Sequence, residues 1–149
     1  MTKILLIVHV LAAIIAVGPV TVAASMFPPT ARQVIASPED ERARAVLTNL
    51  HRVCRAYALV GVTVPVFGLA TAGRLGVLGD AWLIVSMVLT AAAAAVLAAL
   101  VLPRQSAVLE GPAAIADTKR LAMYTGIFNL LWAVVTALMI VRPGSTTSV

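Results

Sequence analysis

The chain has 149 residues, 61% of them hydrophobic and 11% charged, with a formal net charge of +5. Soluble domains carry about 25% charged residues, and one domain of this length has no interior large enough to hide so much apolar surface, so the composition excludes a water-soluble globule. Nor is the positive balance a nucleic-acid signature, because Lys and Arg gather at the cytoplasmic face of membrane proteins. Cys54 is the only cysteine, which excludes an intrachain disulfide and a cysteine-built metal cluster; it reads as a small filler residue.

Four long apolar runs are separated by short, mostly charged connectors, and the spans they predict cover about 4–26, 56–73, 81–102 and 121–141. A hydrocarbon core about 30 Å thick takes roughly 20 helical residues to cross. The predicted fold is all-α: a four-helix transmembrane bundle forming a single integral membrane domain over 1–149, with a cytoplasmic helical extension before the second span.

The first run has the elements of a signal peptide, with Lys3, an apolar stretch at 4–17 and small residues at 22–24. Its removal would send a connector rich in arginine across the membrane, so it is expected to stay as a span. Helical spacing places His9, Ala12, Ala13, Ala16, Val20 and Ala23 on an inward face and Ile7, Leu11, Ile14, Ile15 and Val22 on a lipid face. Phe27, Pro28 and Pro29 are expected to stop this helix, since proline lacks the donor that continuation needs. Ser37 then reads as an N-cap, Pro38 as the first helical residue and Glu39 and Asp40 as first-turn acids of a rod running unbroken into the second span. Within that span Gly61 and Gly68 allow close contact, and Pro65 predicts a kink.

The segment 74–80 is a tight hairpin, with Gly79 or Asp80 capping the third helix and Trp82 at the membrane interface. Alanines 91–95 allow close packing of the third span. Gly111 and Pro112 break the third connector, Asp117 is the expected N-cap of the fourth helix, and the tail 143–149 is expected to fray. On the fourth span Ala122, Thr125, Gly126, Asn129, Ala133 and Thr136 form a small, polar stripe opposite Ile127, Leu131, Val134 and Leu138.

Orientation follows from the basic residues. Eight of them (Arg32, Arg42, Arg44, Arg52, Arg55, Arg104, Lys119, Arg120) lie in or beside the first and third connectors, against three (Lys3, Arg74, Arg142) on the opposite side. This predicts a multi-pass protein of a bacterial cytoplasmic (inner) membrane with both termini outside.

His9 is the one ionisable side chain well inside a predicted span, and such residues are functional candidates by default. Ser86, Met87 and Thr136 lie at a similar depth, with Met139 further out. A neutral imidazole there accepts from Ser86 or Thr136, relays a proton, or ligates iron or copper, with Met87 or Met139 as a second axial ligand. The bland alternative is a histidine bonded to a hydroxyl across a helix interface. Ser86, Thr125, Asn129 and Thr136 make up the polar interior. His51 is placed with Arg52 and Arg55 in a basic cluster at the lipid headgroups, too far along the membrane normal to share one haem with His9. No acid lies inside a span, and no nucleotide-binding, zinc-protease or nucleophile-elbow motif is present, so no catalytic residue is assigned and the reading is non-enzymatic.

Residues 5–13 (LLIVHVLAA), 67–73 (FGLATAG) and 81–86 (AWLIVS) resemble a bacterial family of predicted integral membrane proteins of unknown function. More distantly, a histidine early in the first of four helices resembles the copper-resistance CopD-type membrane domain and the HemJ-type protoporphyrinogen oxidase. That resemblance implies haem or copper handling at His9; a second intramembrane histidine and an intramembrane lysine, expected in those proteins, are absent from this sequence. The leading expectation is an accessory or structural subunit, working with the bilayer as a homo-oligomer or within a larger membrane complex and without nucleic acid. A haem- or copper-binding protein (haem b, or no cofactor at all) and a small transporter are the alternatives.

Overall fold

The computed structural model describes residues 1–112 and 115–145. Four rods, Thr2–Ala36, Glu41–Leu75, Ala81–Glu110 and Ile115–Val141, are each long and apolar enough to cross a membrane, and no strand is present among the described residues. The protein is an all-α bundle of the multi-pass membrane type. Both described chain ends and the 74–80 hairpin lie at one end of the bundle, called here the terminal end; the first and third connectors lie at the other, the connector end.

Helix α1 (Thr2–Ala36) does not stop at Phe27, Pro28 and Pro29, contrary to the expectation. Each proline removes a backbone hydrogen bond, yet Phe27, Pro28 and Ala31 are buried against the next helix, and that packing outweighs the local cost. At 35 residues α1 is about 52 Å long, well beyond a hydrocarbon core of about 30 Å. The predicted extension at the connector end is therefore a two-helix hairpin, built from the end of α1 and the start of α2 (Glu41–Gly61).

The cap of α2 also differs from the expectation. Asp40, not Ser37, is the N-cap, its Oδ1 accepting from the Ala43 amide at 2.9 Å. The second rod runs, as expected, without a break from the connector into the second span, and the kink falls near Pro65. Within the span it is interrupted at Val62 and resumes as α3 (Thr63–Leu75), because Pro65 has no N–H to give to the preceding turn and its ring crowds the carbonyl four residues back. Gly76, at φ 71°, ends α3 in the left-handed conformation that starts the hairpin. Asp80 is the N-cap of α4 (Ala81–Ala95), but its carboxylate accepts from the Trp82 indole at 3.0 Å instead of capping the backbone. Trp82 is buried, not presented to an interface.

Past α4 the third rod widens into a π-helical stretch, Val96–Val101, and continues as α5 (Leu102–Glu110). Ala93, Leu97, Val101 and Gln105 are all buried at a stride of four. In an ideal α-helix that stride drifts by about 40° per step, and the wider π turn absorbs the drift. The rod ends at Glu110 with Gly111 as its C-cap, at the break expected from Gly111 and Pro112. Asp117 falls in the first turn of α6 (Ile115–Val141); residues 113–114, and 146–149 of the tail, lie outside the described residues.

The buried side chains form two clusters. The larger, at the connector end, includes Phe27, Leu47, Leu50, Cys54, Val101, Leu121 and Phe128. The smaller, under the 74–80 hairpin, joins Ala72, Val77, Trp82 and Leu83, with Met87 and Met139 against it. On α1 the inward face is as expected, with Ala16, Val20 and Ala23 buried and Ile7, Leu11, Ile14, Ile15 and Val22 exposed. On α6 the expected stripe is corrected. Thr118, Leu121, Thr125, Phe128 and Val135 face inward, whereas Ala122, Gly126, Ala133 and Thr136 are exposed. Bulky side chains fill the space between the helices better than a stripe of small ones.

Candidate functional site

Between the two clusters lies a cavity of about 670 Å³, bounded by α1, α3, α4 and α6. Ligand sites run from about 300 to 1,000 Å³. Its wall is apolar apart from a few groups, chiefly His9, Thr90, Trp132, Thr136 and Arg142. On α1 the lining runs from Leu6 to Gly18, about 18 Å along the helix axis, so the cavity is elongated parallel to the helices. Leu6, Val10 and Ile14 line it and are 37%, 46% and 64% exposed. The cavity is thus partly open along α1, between helices long and apolar enough to span a membrane.

His9 stands in this wall, and its hydrogen bonding sets its chemistry. Nδ1 lies 2.9 Å from the Val64 carbonyl oxygen. A carbonyl only accepts, so Nδ1 carries the proton and donates it. Nε2 is left with its lone pair, and among the described residues it has no hydrogen-bond partner. A backbone carbonyl holding Nδ1–H is the arrangement that orients metal-ligating histidines. Gly68 makes the seat: a Cβ there would stand 2.9 Å from His9 Cε1 and 3.2 Å from Nδ1. Any other residue would displace the ring.

The partners expected for His9 are engaged elsewhere. Ser86 Oγ donates to the Trp82 carbonyl at 2.7 Å and Thr136 Oγ1 to the Trp132 carbonyl at 2.9 Å, each within its own helix. Met87 and Met139 line the same cavity as His9, so the structure brings those three candidates together. Asn129 donates from Nδ2 to Ser25 Oγ at 3.2 Å, tying α6 to α1. Asn129 Oδ1, Thr125 Oγ1 and Trp132 Nε1 are buried and unpaired among the described residues, along one face of α6.

His51 requires a correction. It does not stand with Arg52 and Arg55 at the headgroups; those two are exposed, while His51 is 9% exposed and turned into the bundle. Its Nδ1 lies 2.9 Å from Gln105 Oε1 and its Nε2 3.2 Å from Ser106 Oγ. Gln105, fully buried, donates from Nε2 to Cys54 Sγ at 3.6 Å. This network joins α2 to α5 and leaves neither ring nitrogen available. A buried donor or acceptor without a partner costs about 1–3 kcal/mol, which explains why Gln105 is drawn in to meet His51.

Two further residues escaped the sequence reading. Gln105 had a signal, the four-residue ladder through Ala93, Leu97 and Val101. Arg142 was counted only as a charge. It closes α6 at φ 45°, the only non-glycine with positive φ among the described residues. Its Nε donates to the Met139 carbonyl at 3.3 Å, and its guanidinium lies 5.5 Å from the Trp82 ring centre, at the rim of the cavity. Among the described residues no group of three or more His, Cys, Asp or Glu side chains is placed to hold a metal ion, so a metal here would arrive as part of a ligand or rest on His9 with the thioethers. No family model, curated protein or solved structure matches the chain.

Proposed function

We propose that this is a ligand-binding protein of a bacterial cytoplasmic membrane, non-enzymatic by itself, that takes a lipid-soluble molecule sideways from the bilayer and holds it through His9 Nε2. The observation that carries the reading is the pairing of an oriented imidazole, with one nitrogen free, and an apolar cavity large enough for a cofactor-sized ligand. A purely structural subunit gives no account of that space, since bundles of this kind otherwise pack closely.

Haem b fits the wall. His9, with Met87 or Met139 of the same wall, would hold the iron, and Trp132 offers an aromatic flank. Bound there, haem would supply a redox-active iron. The protein's part is to orient His9 through the Val64 carbonyl and to surround the macrocycle with apolar side chains.

The test is the optical spectrum of protein purified from cells supplied with a haem precursor. The expected result is a Soret band that is lost in His9→Ala. A colourless native protein overturns the haem assignment, and failure of any apolar probe to enter the cavity overturns the binding function. Eight basic residues at the connector end against three at the terminal end support termini outside the cytoplasm. Cysteines introduced at Arg42 and Leu78 should label from the inside and the outside respectively.

A further inference from the structure

The charged group at the end of the cavity says more about the ligand than the apolar wall does. Arg142 lines the rim. Of its five N–H donors, Nε is taken by the Met139 carbonyl, and the guanidinium face rests near Trp82. No carboxylate pairs with Arg142 among the described residues: Asp80, which shares the Trp82 contact, accepts from the Trp82 indole instead. The result is a positive fork, held in place by a carbonyl and an aromatic ring, at the mouth of an otherwise apolar trough. On α6 the trough runs from Trp132 to Arg142, about 15 Å, or half the hydrocarbon thickness. Arg142 is half-buried, and a guanidinium held in that position gains from an anionic partner that takes up its remaining donors.

We infer that the ligand is an amphiphile with a single-ended anionic head: its apolar body lies along His9, Met87 and Trp132, and its carboxylate or phosphate is received bidentately by the Arg142 guanidinium at the terminal-end membrane surface. Guanidinium matches both oxyanions in geometry, so a fatty acid, the acidic edge of a porphyrin and a phospholipid headgroup share the chemistry. This inference rests on the binding function proposed above and adds to it the sign and position of the ligand's charge.

The probe is 9,10-dibromostearate, whose bromines quench tryptophan, added to the full chain in detergent. The two tryptophans, Trp82 and Trp132, lie at the rim and in the wall. The native protein should show saturable quenching, with dibromostearate bound about tenfold more tightly than its methyl ester, the equivalent of about 1.4 kcal/mol for one charge-assisted pair. Arg142→Gln should bring acid and ester to the same affinity, Arg142→Lys should keep part of the difference, and Ala13→Phe, which fills the trough, should abolish saturation for both. Equal affinity of acid and ester in the native protein overturns the anionic head while leaving the apolar site standing; this comparison needs no variant to fold. Absence of saturable quenching by either probe overturns both readings. Displacement of dibromostearate by phosphatidylglycerol but not by phosphatidylcholine supports the anion site and assigns its occupant to the bilayer.

Discussion

The two histidines of this chain occupy opposite ends of the bundle and teach opposite lessons. His51, at the connector end, has both ring nitrogens satisfied and lies beside a close-packed cluster whose largest fully buried side chain is Phe27. His9, at the terminal end, has one nitrogen fixed by a backbone carbonyl and the other turned loose in a wall that borders about 670 Å³ of space. The first arrangement holds helices together and has no spare capacity. The second ties α1 to α3 through one nitrogen and keeps the other in reserve. One end of the molecule is built for stability and the other for occupancy.

That contrast can be broken by measurement. The largest effect belongs to the packed end: Phe27→Ala should cost about 3–5 kcal/mol in reversible unfolding, because its ring is fully buried where the hairpin extends past the hydrocarbon. Leu6→Ala, on the cavity wall and 37% exposed, should change stability by no more than about 0.5 kcal/mol. Next come the histidines. His51→Ala should lower stability by about 1–3 kcal/mol by leaving Gln105 Oε1 buried and unpaired, with the ligand spectrum unchanged; His9→Ala should do the reverse, abolishing the spectrum with little loss of stability. If His51→Ala removed the spectrum, the division between the ends would be wrong.

Gly68→Ala is a finer probe. The added methyl must push the imidazole, overpacking of this kind costing about 1–3 kcal/mol, so ligand affinity should fall while the protein still folds. The smallest effect is expected of Thr136→Val. Its hydroxyl serves only its own helix, and both stability and binding should stay within about 0.5 kcal/mol of native.

Much of the architecture was legible in the residues. Four apolar runs became four rods, the lipid face of α1 was assigned correctly from its alternation of alanine with isoleucine and leucine, and Pro65 interrupted its rod. The departures share a cause. Pro28 and Pro29 were expected to end α1 by a local rule, and burial of Phe27 and Ala31 overrode it. The inward face of α6 was assigned by residue size, but Leu121 and Phe128 pack into the connector-end cluster and Val135 lines the cavity, filling space that small residues would leave empty. His51 looked like a surface base because it is flanked by arginines, and only Gln105, reached from another rod 54 positions away, makes its burial tolerable.

Composition alone determined the solvent around this chain and, through helix length, its passage across a membrane; those properties are sums over side chains and need no knowledge of neighbours. The tertiary structure alone decided which histidine is spent and which is free, because that depends on a carbonyl at Val64 and an amide at Gln105 that are remote in sequence. The cavity has the same origin. Its wall is assembled from α1, α3, α4 and α6, and no local pattern of residues encodes how distant helices are placed.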